Sequence, residues 1–283
     1  FGRCPKEFRL RRGYLKAREY GRKARLSFYV TWRDCPRITC AMRMILQREL
    51  PAEQSGDVRL PGVAPCGAGD WLRVDDAYGA QMQYRAALIA ERPNAVLYEP
   101  EGARAASCEL LREALAILPK LGFAIGDSRV VCPDGREVPL DWRAPLRSLG
   151  HLVQEDICVL QKRGDEHVLA AAVLCFPANW RLAEKIEQPL TAIHVPVDEY
   201  DANIARRVQR LFDGVQVGRP LWRFNRLTYA DADLHQPRKR EVDEAMPFLR
   251  SERQCILRLP ETDAVVFTIH TTVVRRDDTP AGK

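Results

Sequence analysis

The spacing of apolar residues along this chain changes rhythm near residue 127, dividing the sequence into a helical part and a strand-rich part. Upstream, Tyr78, Met82, Ala86 and Ile89 fall near one helix face. Asp75 and Asp76 stand where a cap belongs, and Pro93 stops the run. A second helix follows, with Ser107 as its cap and Leu110, Leu111, Ala114, Leu115 and Leu118 turned inward; Pro119 and Gly122 end it.

Downstream the period shortens to that of strands. Arg129-Val130-Val131 and Glu137-Val138-Pro139 flank a Pro133-Asp134-Gly135 turn, which predicts a hairpin. Ile157 to Gln161, a Gly164-Asp165 turn and Val168 to Cys175 predict a stronger one. The helical period returns over 198–213, with Asp198 as cap, Ile204, Val208, Leu211 and Phe212 inside, and Gly214 at the end. Leu221 to Tyr229 reads as a strand, residues 241–249 as a short helix, and Arg253 to Leu259 with Ala264 to Val274 as a last hairpin. Helices first, then antiparallel hairpins with one inserted helix, make an α+β fold. The chain has no strand–helix–strand alternation, no GxGxxG and no P-loop, which disfavours a nucleotide-binding α/β fold.

Charge changes the picture at one end only. The whole chain carries +6, yet residues 1–50 alone carry +10, so the remainder is −4. A mildly acidic body gives no reason to expect nucleic-acid binding. The sequence therefore predicts a basic, poorly ordered arm and linker over 1–56, a body over 57–275 and a tail over 276–283. The arm lacks a periodic apolar face, so a chain starting near Asp57 is expected to fold equally well. For the arm itself, a contact with nucleic acid or acidic lipid is the competing reading.

The nine cysteines are odd in number, and several lie in apolar runs such as Ile157-Cys158-Val159-Leu160. That is the pattern of free core thiols, not of a disulfide framework. The longest apolar stretch, Val168 to Phe176, is too short to span a bilayer, and no signal peptide is visible. The expected setting is the cytoplasm.

Among the five histidines, His167 beside a hairpin turn and His235 in a polar loop read as solvated or loop residues. His270 alternates on a strand with Val266 and Thr268, and His151 reads as a helix-end residue. His194 lies in Leu190-Thr191-Ala192-Ile193-His194-Val195-Pro196-Val197, an apolar run flanked by Pro. A hydrogen-bonded core histidine is one reading and an axial haem ligand another, since porphyrin supplies the other four ligands. In Gln154-Glu155-Asp156, apolar neighbours imply that one carboxylate points inward and needs a donor. Alternation sets Arg223 and Asn225 on one face opposite Trp222 and Phe224, and Glu252 with Gln254 opposite Arg253. Inward charges of this kind mean a buried ion pair or a ligand pocket.

Seven segments, taken in order, resemble a known family. They are Trp71-Leu72-Arg73-Val74-Asp75 with Tyr78 and Gln81-Met82; Leu152 to Cys158; Cys175-Phe176-Pro177-Ala178-Asn179-Trp180; Glu184-Lys185 ahead of Pro189-Leu190; Ile193-His194-Val195-Pro196-Val197; Trp222-Arg223-Phe224-Asn225; and Arg250-Ser251-Glu252-Arg253-Gln254 with Leu259-Pro260 and Val265 to Ile269. Their order and spacing over about residues 60–275 resemble the haem-binding subunit of haem-dependent oxidative N-demethylases, or dimethylamine monooxygenase. The resemblance implies a PAS-like antiparallel sheet with N-terminal helices, holding haem b. It implies oxygen-dependent demethylation of a small secondary alkylamine with release of formaldehyde. Electrons would come from NADPH through reductase subunits carrying flavin and an iron–sulfur centre. Carried over by motif, His194 becomes the axial ligand, with His151 next in line. Arg223, Asn225, Glu252 and Arg253 become candidates for the pocket or the haem propionates, since the arginine fork suits carboxylates. Two departures stand out: Arg226 occupies the place of a second Trp, and Gly62-Val63-Ala64-Pro65-Cys66 keeps only part of an upstream Gly-Leu-x-Pro-Leu stretch. A haem-PAS sensor without turnover is the alternative with the same fold.

Overall fold

At the Gly164-Asp165 turn, Gly164 takes a φ of 64°, open to a residue without Cβ. The turn joins strands of eight residues each. A computed structural model describes residues 44–56, 62–194, 202–238 and 245–276, without the side chains of residues 194 and 202–205. After a 3-10 turn at Ala52–Gln54 the chain forms β1 (Ala64–Pro65), α1 (Tyr78–Glu91), α2 (Pro93–Val96), β2 (Leu97–Tyr98) and α3 (Arg104–Ile117). A small sheet follows, made of β3 (Ala124–Ile125), β4 (Arg129–Val131) and β5 (Glu137–Pro139), and then α4 (Pro145–Leu152). The hairpin β6 (Asp156–Arg163) and β7 (Glu166–Val173) leads into α5 (Leu182–Lys185), α6 (Leu190–His194) and α7 (Ala202–Gly214). Strands β8 (Leu221–Tyr229), β9 (Phe248–Arg258) and β10 (Val265–Arg275) complete the fold.

The main sheet has seven strands in the order β1-β8-β9-β10-β6-β7-β2, and every neighbouring pair is antiparallel. The α+β class is as the hydrophobic pattern predicts. Period-two alternation gives the sheet two apolar faces. Val159, Leu257 and Val266 join Met82, Ile89, Leu110 and Leu149 of α1, α3 and α4 in one core. Their chain neighbours Cys158, Ile256 and Val265 join Leu182, Leu190 and Phe212 of α5–α7 in a second core. Packing is closest at Gly150, where a Cβ would come within 2.8 Å of side-chain carbons of Ile89 and Val173. α4 therefore approaches α1 and β7 at a point where no side chain fits.

Several local expectations change. Asp75 does not cap α1: Ala77 holds that place with no side-chain bond. Asp75 Oδ1 instead accepts from the Ala77 amide at 2.9 Å and from Gln154 Nε2 at 2.7 Å. Ser107 lies buried inside α3. Asp198 and residues 241–244 lie outside the described residues; in the rest of the helix expected over 241–249, residues 245–247 form no regular element and Phe248 already belongs to β9. His167 is buried rather than solvated, its Nδ1 3.2 Å from Gln209 Nε2 on α7.

The basic residues 1–43 lie outside the described residues, but 44–56 pack on the body. Gln47 is buried. Its backbone amide donates to Val273 O at 2.9 Å, and its side chain bonds Asp75, Thr271 and the Val273 amide. Gln54 is buried and accepts from Ser251 Oγ at 2.7 Å. Arg226 donates to Ser55 O at 3.3 Å and Gly56 O at 2.7 Å. A chain starting at Asp57 leaves these partners unpaired. It is expected to lose about 2–4 kcal/mol relative to one starting at residue 42, counting one or two buried groups left unsatisfied. Urea denaturation of both checks this; equal midpoints would mean that the segment contributes nothing to stability.

Candidate functional site

Register and alternation assemble one polar patch at the middle of the sheet. Arg223 pairs with Gln254 and Asn225 with Glu252, so all four side chains leave the β8–β9 ribbon on the same face. The carboxylate of Glu252 is buried and fully used. Oε1 accepts from Arg250 Nε at 3.2 Å, and Oε2 accepts from Asn225 Nδ2 at 3.1 Å and Gln254 Nε2 at 3.3 Å. Arg250 is buried too: it donates through Nη1 to Leu234 O at 2.9 Å and through Nη2 to Phe176 O. The ion pair that sequence left open between Arg223 and Glu252 is thus made by Arg250 instead, with Nη2 3.1 Å from Oε1. Arg250, two residues away on the same face, was the signal that sequence reading passed over.

Arg223 remains the exception. It is half-buried, and its Nε has no hydrogen-bond partner; nor has Oδ1 of Asn225. Burial lowers the pKa of Arg223, and the nearby Glu252 charge offsets this only in part. A cation so placed, beside an unpaired acceptor, is costly unless an anion joins it. Half-buried Leu221, Phe267, Trp180 and Ile193 pack at the edge of the core on this face.

The remaining sequence candidates separate. Arg253 leaves β9 on the opposite face, paired across the ribbon with Phe224. Its guanidinium is committed to Asp70, through Nη2 to Oδ2 at 2.7 Å and Nη1 to the backbone O at 2.7 Å, and it lies 5.0 Å from the Trp222 ring centroid. It does not meet Arg223. Arg226, in place of the second Trp, also sits on that opposite face, across from Ser251. His194 ends α6, a helix whose Leu190 and Ile193 belong to the same core layer as Leu221; its side chain lies outside the described residues. His151 is partly buried at the end of α4, and burial together with Arg147, Arg85 and Arg136 lowers it to about 4.

The opposite face holds a cluster that sequence reading missed, because its members lie up to 195 positions apart. Nδ1 of His270 is 2.9 Å from Glu155 Oε1, and Nε2 is 3.1 Å from Asp75 Oδ2, at the edge of a cavity of about 380 Å³ also lined by Gln47, Gln54 and Arg73. Both ring nitrogens are consumed, so His270 offers no free base; the cluster is a charged clasp. Burial alone would lower the pKa of His270, but the hydrogen bonds and charges of Asp75 and Glu155 outweigh it and raise it to about 9. Burial likewise would raise Asp75, yet His270 pulls it down to about 2. The His270 contribution is therefore complete below its unfolded value of 6.5 and is lost as pH rises through 9. Stability should fall by about 3 kcal/mol across that window. His270→Gln should flatten this alkaline limb in urea denaturation at stepped pH; an unchanged limb would assign the loss to other groups.

Among the described residues, no group of three or more His, Cys, Asp or Glu side chains could hold a metal ion, and no helix is long and apolar enough to cross a membrane. A family model described as haem-dependent oxidative N-demethylase, alpha subunit-like, matches residues 62–280.

Proposed function

The chain belongs to the haem-dependent oxidative N-demethylase, alpha subunit-like family, and from that membership and the unpaired groups of the Arg223 face we propose that it binds haem b there and demethylates a small secondary amine. The observation that carries this reading is the half-buried guanidinium of Arg223, whose Nε lacks a partner, beside the unpaired Oδ1 of Asn225. The residues fit the group: a propionate supplies the anion that Arg223 lacks, and Leu221, Phe267, Trp180 and Ile193 offer apolar surface for the porphyrin. His194 is the proposed axial ligand, carried over from the family motif. Arg253 is committed to Asp70 on the other face and is left out of this assignment. The sheet and its two helical layers are read as a PAS-like arrangement.

Haem, when bound, supplies oxygen activation and one-electron chemistry. The protein supplies the rest. Asn225 Oδ1 accepts an N–H of the alkylammonium, and Glu252 orients that amide by holding its Nδ2. Glu252 is a positioning residue, since its own oxygens are occupied. Leu221, Phe267, Trp180 and Ile193 would keep water from the amine while its methyl group is hydroxylated. The carbinolamine then breaks its C–N bond, giving formaldehyde and the primary amine. The two electrons come from NADPH through reductase subunits that carry flavin and an iron–sulfur centre.

The test is an absorption spectrum of the purified protein, before and after dithionite and carbon monoxide, with formaldehyde measured from dimethylamine and a suitable electron donor. A Soret band that His194→Ala removes, in a protein that stays folded, is the expected result. Haem bound without turnover would leave the sensor reading; no haem uptake at all would end the proposal.

A further inference from the structure

His167 stands near the start of β7 and packs against α7, its ring centroid 5.8 Å from that of Phe212 and its side chain only 1% exposed. Its surroundings fix its protons. Nε2 of Gln209 on α7 lies 3.2 Å from the backbone O of Asp165, 3.3 Å from Asp213 Oδ2 and 3.2 Å from His167 Nδ1. The two oxygens can only accept, since Lys162 keeps Asp213 ionised, so they hold the amide with its NH2 toward them. His167 Nδ1 therefore accepts as well, and the ring proton sits on Nε2, which has no partner. Gln209 Oε1 is also buried and unserved. One NH2 group thus ties α7 both to β7 and to the β6–β7 turn.

We propose that His167 is an acid-sensitive latch for α7: when the ring takes a second proton, Gln209 must turn over, and its bond to the β6–β7 turn is lost. A proton on Nδ1 points at the NH2 of Gln209, donor against donor. Turning the amide offers the unserved Oε1 to the ring, but it takes Nε2 from Asp165 O and sets oxygen against oxygen there. Asp213 is no substitute partner, since its Oδ1 is 3.9 Å from Nδ1 and already holds Lys162 Nζ at 2.5 Å. The charges facing the ring are Asp213 on α7, Arg258 on β9, Lys162 on β6 and Asp263 in the turn after β9. These two anions and two cations oppose one another, and burial, the largest cause, lowers the pKa of His167. The closed helix thus resists a proton that the opened one accepts near the ordinary 6.5. The latch is complete above that value and is lost as pH falls below it. Arg258 still holds Phe212 O at 2.8 Å and Asp213 O at 3.2 Å, which confines the motion to the turn around Gln209. Val208 and Leu211 in that turn pack in the same core layer as Leu221 and Ile193, so acid loosens the cover of the face assigned above to the porphyrin. The latch itself does not rest on that assignment.

Hydrogen–deuterium exchange of the full-length protein as purified, read by mass spectrometry at about pH 7.5 and about pH 5.5 and corrected for intrinsic rates, is the test. A peptide over 206–211 reports on α7, and one over 104–117, in α3, is the reference. His151, lowered to about 4, stays neutral in the folded chain at both pH values. On going to the lower pH, α7 should lose protection by about three- to tenfold relative to α3, tenfold being roughly the limit for one proton across that window. His167→Asn places an amide oxygen, which takes no proton, where Nδ1 was, and should abolish the loss. Gln209→Glu turns the donor into an acceptor, so a protonated ring gains a bond and the loss should again vanish. A relative loss under about twofold in the unaltered protein would overturn the proposal. So would an undiminished loss in His167→Asn or in Gln209→Glu. Should one variant fail to fold, as circular dichroism would reveal, the unaltered protein and the other variant still decide.

Discussion

Asp156→Ala is expected to lower the unfolding free energy by about 3–5 kcal/mol, the cost of breaking a buried ion pair by removing one partner. Neither side chain of the Arg85–Asp156 pair is exposed, and Nη1 lies 2.6 Å from Oδ1. The same carboxylate accepts the Cys175 amide at 2.7 Å and the Phe176 amide at 2.8 Å, tying the end of β7 to the start of β6. Without it, Arg85 keeps the carbonyls of Gly150 and Gln154, and its guanidinium carbon stays 5.3 Å from the Phe176 ring centroid, but its charge has lost its closest anion. Two backbone amides are orphaned as well. Urea denaturation should show a lower midpoint at unchanged slope. Arg85→Met should be comparably harmful, and the double variant should cost less than the two single losses combined, because the groups act as one network. A loss under about 1 kcal/mol for Asp156→Ala would refute the buried-pair account.

Arg223→Met and Glu252→Leu should separate, although the two residues sit on neighbouring strands and one face. Arg223 has an unpaired Nε and strained solvation, so its removal should leave the haem-free protein as stable or more stable. Haem affinity should fall about 10- to 100-fold with the loss of one charge-assisted bond, and formaldehyde release should fall with it. Glu252→Leu should do the reverse. It strands the buried Arg250 charge and frees the Asn225 and Gln254 amides, for about 3–5 kcal/mol of stability. Thermal midpoints and haem titrations of both variants read the difference. An Arg223→Met protein that is destabilised but binds haem normally would make Arg223 a structural residue and remove the main support for the proposed pocket.

Much of this arrangement is written in local pattern. Strict alternation around Trp222-Arg223-Phe224-Asn225 and Glu252-Arg253-Gln254 sorts the five charged and polar groups onto the faces where they are found. The Gly164-Asp165 turn sets its hairpin. What local pattern could not carry was competition from distant partners. Asp75 has the look of a helix cap, but His270, Gln154 and Gln47 claim its oxygens. The sequence implied one inward carboxylate between Val153 and Ile157, and both Glu155 and Asp156 are buried, each with its own donors. Residues 51–56 have the composition of a linker, yet Gln54 fits beside Ser251. Pro247 and the strand partners of Phe248 keep residues 245–249, the described end of the helix expected over 241–249, out of helix.

The strand order also governs how the chain can assemble as it is made. The hairpin β9–β10 is the last stretch of the sheet in sequence and its middle in space, with β8 on one side and β6 on the other. Until residues 248–275 leave the ribosome, β6–β7 and β1–β8 have no strand to join them, and each shows an open edge. Synthesis at roughly 5–20 residues per second keeps those edges waiting for seconds after β6 has emerged. The nascent protein is thus most vulnerable to unwanted strand pairing just before its final hairpin closes the gap.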